Sequence, residues 1–249
     1  MNIYSPKNIF SPDKKTHDKF KKHFSIGEQA TQTEIDFMEK LKKYLPYIQW
    51  IPSIQMIGVG NSISMNCASP SSDIDLYIVT SPNRMWLVRI LTTVIYQVLG
   101  VRKNNKHHAG RFCLSFFSTT SALSFSNFAL REDVYLYFWI LYFKPFYNKN
   151  NTYERFIAEN SNWADFSLYS HLISENKKYI IQSVDNKEIK NQFILKIGEE
   201  INKILKKIFL PKTLRQYKKI GKPYGIIISD DMLKFHNNDI RKKTREEIM

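Results

Sequence analysis

The stretch that decides the fold reads Ile57-Gly58-Val59-Gly60-Asn61-Ser62 and is followed, after ten residues, by Asp73-Ile74-Asp75-Leu76. The short apolar run over 54–59 ends at a glycine, which predicts a first strand. The run over 73–80 alternates, so that one face carries Ile74, Leu76 and Ile78 and the other carries Asp73, Asp75 and Tyr77. Alternation with a period of two predicts a second strand.

Asp73 and Asp75 lie on the same face of that second strand. Residues i and i+2 of a strand lie roughly 6 to 7 Å apart, since each residue adds about 3.3 Å. Two carboxylates this close repel each other, and a divalent cation between them relieves the repulsion. Mg²⁺ prefers oxygen ligands, commonly one or two carboxylates together with substrate phosphates and water. The pair therefore predicts a magnesium site, with a solvated strand face as the alternative.

The bend Gly60-Asn61-Ser62 follows the first strand and predicts a phosphate-binding turn. Such a bend leaves backbone N–H groups and a small hydroxyl facing outward. A short helix over 63–67 would add the partial positive charge of its N-terminus. Ser62 has an alternative role, because serine also caps helices.

This arrangement resembles the signature of the polymerase-beta-like nucleotidyltransferase superfamily. That signature consists of a glycine–serine turn, a spacer of about ten residues and Asp-x-Asp on an apolar strand. The stretches 58–62 and 72–80 are similar to its bacterial nucleotidyltransferase-domain members. Further resemblance to little-characterised bacterial proteins runs through 112–116, 144–147, 152–156 and 229–236. The resemblance covers most of the chain after about residue 30.

This resemblance implies an enzyme that moves a nucleoside monophosphate from a nucleoside triphosphate, with ATP expected, to an acceptor hydroxyl while pyrophosphate leaves. Ser62 would contact the β- and γ-phosphates, and Asp73 and Asp75 would hold two Mg²⁺. The backbone of Gly60, Asn61 and Ser62 would donate further hydrogen bonds to phosphate. Small molecules such as antibiotics, a tRNA end and protein hydroxyls all stay open as acceptors.

Arg111 begins the next predicted strand, over 111–118, where it would touch phosphate or form a surface ion pair. This strand carries Cys113 but no acid, although active members of the superfamily have a third carboxylate on a later strand. Glu132 or Asp133 could substitute from the following helix. Asn61 also stands where the family has glycine, and asparagine tolerates positive φ better than most residues. The alternative function is a catalytically weakened nucleotide-binding or antitoxin-like interaction module that lacks the third carboxylate.

The predicted fold class is α/β (α+β), a small mixed nucleotidyltransferase sheet with flanking helices followed by a helical C-terminal half. We divide the chain into a basic N-terminal segment (1–30), a nucleotidyltransferase core (31–125) and a mainly helical C-terminal region (126–249). Helices are predicted over 33–45, 83–99, 132–143, 153–159 and 187–209, and a further strand over 226–229. Ser229-Asp230-Asp231 is predicted to cap a charged helix.

The net charge of +14 and the pI near 9.6 favour polyanionic partners. Nucleic acid is possible but not favoured, because lysine-, asparagine- and isoleucine-rich chains also arise from AT-biased codons; a basic RNA-binding protein with a vestigial core is the alternative. The longest apolar stretches, 86–101 and 134–146, predict buried helices rather than a membrane span of about 20 residues. With Cys67 and Cys113 expected to be reduced, and no secretory signal, the expected location is cytoplasmic.

Overall fold

A computed structural model describes residues 9–104, 106–181 and 192–249 of the chain. Its centre is a six-stranded mixed sheet with the strand order β4-β1-β2-β3-β6-β5. The strands are β1 (Ile54–Val59), β2 (Ile74–Thr80), β3 (Phe112–Thr119), β4 (Lys144–Asn148), β5 (Ile226–Ile228) and β6 (Met232–Phe235). The predicted mixed α/β class, with flanking helices and a helical C-terminal region, is confirmed.

Helices cover both faces of this sheet. The helices are α1 (Lys14–Phe24), α2 (Gln32–Tyr44), α3 (Pro46–Gln49), α4 (Asn61–Ser64), α5 (Met85–Val98), α6 (Val134–Tyr142), α7 (Thr152–Asn160), α8 (Ser170–Asn176), α9 (Gln192–Lys219) and α10 (Arg241–Ile248). Within the described residues, no helix combines the length and the apolar character needed to cross a membrane.

Strand β2 lies near the centre of the sheet, antiparallel to β1 and parallel to β3. Its alternation buries Ile74, Leu76 and Ile78 against one helical layer, while Tyr77 packs into the other layer. The first layer contains residues of α2, α3, α5 and α9, and the second contains residues of α1, α6, α7 and α10. Side chains two residues apart on a strand share a face, so Asp75, and Asp73 just before the strand, lie on the same side as Tyr77, which is the side of α6.

The basic N-terminal segment contains a helix, α1, that the sequence analysis did not predict. Helix α1 begins after Asp13, whose carboxylate accepts a hydrogen bond from the backbone N–H of Thr16 at 2.8 Å. Phe20 is fully buried and packs against Phe138 of α6, with ring centroids 4.5 Å apart. One buried aromatic residue among many lysines gives a weak periodic signal, so the helix escaped prediction.

The apolar stretch 134–146 is not a single buried helix. Helix α6 ends at Tyr142, and the chain continues as β4 beside β1. Pro145 lies inside this strand, and β4 is an edge strand, where the missing N–H of proline is tolerated.

Ser229-Asp230-Asp231 forms the turn of the β5–β6 hairpin and not a helix cap. The backbone N–H of Met232 donates to Ser229 Oγ at 2.9 Å, which closes the turn. The predicted helix over 187–209 corresponds to α9, which continues through Pro211 to Lys219. Residues 187–191 of that prediction lie outside the described residues. Three of the six strands therefore come from the chain after residue 126.

Candidate functional site

The bend after β1 is joined directly to the acid pair through Asn61. Asn61 has a φ of +55°, a conformation that asparagine tolerates. Its side-chain amide donates to Asp75 Oδ2 at 2.7 Å. Its carbonyl oxygen accepts from Trp139 Nε1 at 2.9 Å and from the Tyr135 hydroxyl at 3.3 Å. One side chain thus links the bend, β2 and α6.

Gly60 is fixed by packing and by the sheet. A Cβ atom at this position would lie 2.6 Å from Trp139 Cζ2, so only glycine fits beneath the indole. The backbone N–H of Gly60 donates to the carbonyl of Asp75 at 3.2 Å. Its expected donation to a phosphate is therefore corrected, because the β1–β2 pairing already uses this group.

The parallel pairing of β2 and β3 places Cys113 opposite Asp75. Asp73, Asp75 and Cys113 each offer a ligand atom, and these atoms lie within 4.8 Å of one another. Across 9–104, 106–181 and 192–249, this is the one group of three or more His, Cys, Asp and Glu residues close enough to hold a metal ion. Sequence reasoning missed Cys113 as a site residue, although the predicted strand over 111–118 contained it.

The two carboxylates have different environments. Asp73 forms an ion pair with Lys103, whose Nζ lies 2.5 Å from Oδ2. Burial, and next the negative charge of Asp73, raise the pKa of Asp75 to about 6. Lys103 was not predicted, because the loop over 102–110 carried no pattern that oriented it toward β2.

The donor atoms fit one Mg²⁺ better than two. Both carboxylates offer the oxygen ligands that Mg²⁺ prefers, and phosphate and water would complete the shell. Burial raises the pKa of the Cys113 thiol, so the thiol stays protonated and donates to Ser115 Oγ at 3.3 Å. A protonated thiol is a poor ligand for a hard cation.

Neither acid considered as a substitute third carboxylate joins this group. Asp133 is buried at the start of α6, where it accepts from the backbone N–H of Leu136 at 3.0 Å. It also forms an ion pair with Arg241 at 3.0 Å. Glu132 is exposed.

A cavity of about 310 Å³ lies beside the bend and is lined in part by Ser62. Its aromatic wall includes Phe116 and Trp139. The charged residues that line the cavity are paired with one another: Asp239 accepts hydrogen bonds from Lys234 at 3.2 Å and from Arg241 at 2.9 Å. Because Ser62 lines this cavity, a ligand in the cavity can contact it.

His236 also lines this cavity and was missed as a site residue. Its Nδ1 is buried without a hydrogen-bond partner in the described part of the chain. Burial, and next the charge of Lys234, lower the pKa of His236 to about 4. The imidazole is thus neutral at physiological pH, and it lies close enough to Asp73 and Lys103 for their charges to act on it.

Arg111 holds the chain at the start of β3, where its carbonyl accepts from the N–H of Ile74 at 2.8 Å. Its positive charge acts on Lys40 and helps to lower the pKa of that lysine, after the larger effect of burial. Arg111 is not among the residues that line the cavity beside the bend. Lys103, rather than Arg111, is the cation in contact with the acid pair.

Comparisons with protein-family models, curated proteins and solved structures give no match to this chain. Fold and site therefore define the class of protein: a mixed α/β protein with two carboxylates and a thiol clustered beside a Gly-Asn-Ser bend. Any narrower assignment has to come from the chemistry of that cluster.

The raised pKa of Asp75 predicts that this carboxylate opposes folding at neutral pH. The folded state binds the proton more tightly than the unfolded state, so this contribution to stability is lost as pH rises from about 4 through about 6. We expect Asp75→Asn to increase the free energy of unfolding by roughly 1 to 2 kcal/mol at about pH 7.5 and to have little effect near pH 4.

Urea unfolding at both pH values measures this difference. Asp230→Asn is the matched control, because Asp230 is exposed, and it should change stability little at either pH. An Asp75→Asn protein that is less stable than the wild type at about pH 7.5 would contradict the electrostatic interpretation.

Proposed function

We propose that this protein binds a magnesium-complexed nucleoside triphosphate at the bend between β1 and α4. The observation that carries the proposal is the hydrogen bond of 2.7 Å from Asn61 to Asp75, which joins the bend to the acid pair. The similarity of 58–62 and 72–80 to the polymerase-beta-like nucleotidyltransferases supports the same ligand, with ATP as the expected triphosphate.

Asp73 and Asp75 would hold the Mg²⁺, which supplies positive charge to the phosphate oxygens when it is bound. The Ser62 hydroxyl lines the adjacent cavity and would donate to a phosphate oxygen. Lys103 now neutralises Asp73. With a metal ion held by Asp73 and Asp75, the Lys103 ammonium group would be available to donate to a terminal phosphate.

Isothermal titration with a non-hydrolysable ATP analogue tests this proposal in the presence and absence of Mg²⁺. Wild-type protein should bind in a Mg²⁺-dependent way. Asp73→Asn and Asp75→Asn should each weaken binding at least about tenfold, equivalent to about 1.4 kcal/mol, because each removes one anionic ligand of the metal.

Asp230→Asn serves as the control, since it removes an exposed carboxylate distant in sequence from the acid pair and should bind like wild type. The proposal fails if wild-type protein shows no triphosphate binding with Mg²⁺ present. It also fails if both site variants bind as tightly as the control.

Nucleotidyl transfer is the second candidate function, and His236 is the observation that favours it. Its neutral imidazole, whose Nδ1 has no partner among the described residues, lines the cavity beside the bend and could act as general base in place of a third acid, which the described residues do not add to the group. The acceptor hydroxyl would attack the α-phosphorus, its proton would pass to the imidazole of His236, and the bond to the β-phosphate oxygen would break to release pyrophosphate. The pKa of about 4 makes His236 a weak base, so transfer would be slow.

Pyrophosphate release from Mg-ATP in the presence of aminoglycoside, tRNA or protein acceptors tests transfer. We expect His236→Gln to reduce the release rate by about 10²-fold, which is typical for loss of a general base, and to leave binding of the ATP analogue unchanged. His108→Gln, which alters an exposed histidine, should retain the wild-type rate. Equal rates in the two variants would exclude His236 as the base, and no release with any acceptor would leave nucleotide binding as the function.

A further inference from the structure

A second cavity, of about 560 Å³, lies on the opposite side of the sheet from the acid pair. It is formed by α5, α9 and the β5–β6 hairpin. Its lining includes Trp86, Arg89, Arg102, Phe209, Lys212 and Phe235. None of these residues contributes to the nucleotide site proposed above, so the two sites can be tested independently.

Arg89 is the unusual residue of this cavity. Its Nη1 is buried without a hydrogen-bond partner within the described ranges, and no carboxylate there is among the charges that act on its guanidinium. The guanidinium carbon lies 4.4 Å from the ring centroid of Phe235 and 5.7 Å from that of Phe117. Buried charges are normally paired with an opposite charge, and aromatic rings replace that only in part.

Arg89 stays charged despite this environment. Burial, and next the charge of Arg102, lower its pKa to about 10, so the guanidinium is still protonated at neutral pH. The Nη1 atom of this protonated guanidinium is buried and has no partner, so it carries a cost of lost hydration. An anion that enters the cavity would offset that cost.

Trp86 adds a second unsatisfied donor to the same cavity. Its Nε1 is buried without a partner in the described part of the chain. Trp86 and Arg89 are three residues apart on α5 and therefore share one face of the helix. Buried donors are satisfied in the great majority of cases, so two unsatisfied donors lining one cavity indicate a ligand that accepts hydrogen bonds.

The rest of the lining specifies the charge and shape of that ligand. The lining has three cationic side chains, those of Arg89, Arg102 and Lys212, and it contains no Asp or Glu. Phe209 and Phe235 provide apolar surface beside these charges. Three cations without an acid favour a dianion over a monoanion, and the planar guanidinium matches phosphate geometry.

We propose that this cavity binds a small organic phosphate monoester. The phosphate accepts hydrogen bonds from Arg89 Nη1 and Trp86 Nε1, with Arg102 and Lys212 completing the charge balance. The organic part packs against Phe209 and Phe235. The site is separate from the nucleotide site, because it lies on the other face of the sheet and contains no carboxylate to hold a metal.

Phenyl phosphate is the probe, titrated calorimetrically into the full chain with EDTA present so that metal-dependent binding is absent. Wild-type protein should bind one equivalent. Arg89→Met should weaken binding at least about tenfold and should also raise the melting temperature of the free protein, because it removes an unpaired buried charge. Arg215→Met, which alters an exposed arginine of α9 that does not line the cavity, is the control and should alter neither property.

Two further arms keep the test decisive. Lys212→Met changes an exposed side chain and should fold normally but bind phenyl phosphate more weakly, which covers the case that Arg89→Met does not fold. Asp75→Asn should bind phenyl phosphate like wild type.

Inorganic phosphate should bind more weakly than phenyl phosphate, and benzyl alcohol should not bind. Failure of wild-type binding, binding as tight as wild type in both the Arg89→Met and Lys212→Met variants, or loss of binding in Asp75→Asn would each overturn the proposal.

Discussion

The mutual repulsion of Asp73 and Asp75 is the constraint on which the candidate site depends. Two carboxylates on one face, at the N-terminal end of a central strand, require positive charge or hydrogen-bond donors nearby. Lys103 supplies the charge to Asp73, and Asn61 supplies the donor to Asp75. Because Asn61 is also held by Trp139 and Tyr135, the same interaction fixes the bend against α6.

Charge balance distinguishes the two cavities. Beside the bend, Lys234 and Arg241 are neutralised by Asp239 and Asp133, so that wall is already satisfied. In the cavity between α5 and α9, the guanidinium of Arg89 lies over the rings of Phe235 and Phe117, and its buried Nη1 has no hydrogen-bond partner within the described residues. The ion pairs beside the bend stabilise the fold around the site. The unpaired positive charge between α5 and α9 would be stabilised by a bound anion.

Local patterns were sufficient to predict the centre of the fold. Three patterns of adjacent residues indicate their elements without tertiary information. They are the period-two alternation in 73–80, the glycine at the end of β1 and the apolar stretch of α5. Strand β4 and helix α1 were missed because tertiary context decides them: Pro145 is acceptable only on an edge strand, and α1 is anchored chiefly by Phe20. Strand β6 was hidden by a turn sequence, 229–231, that also suits a helix start.

The site was predictable to the extent that it lies within one continuous motif. Asp73, Asp75 and Asn61 belong to that motif, and the structure brings Asn61 and Asp75 into contact. Cys113, Lys103 and His236 come from strand pairing and loop return across the sheet, which the chain does not encode at short range. The predicted role of the Gly60 N–H failed because the sheet continues one residue beyond the expected end of β1.

A crystal structure of the full chain with Mn²⁺ and a non-hydrolysable triphosphate would test the central claim most directly. The account predicts an anomalous Mn²⁺ peak at about 2.1 to 2.3 Å from oxygens of Asp73 and Asp75, with phosphate oxygens completing the shell beside Ser62 and with Lys103 displaced from Asp73. A triphosphate bound elsewhere, or no metal at the acid pair while Lys103 stays on Asp73, would contradict it.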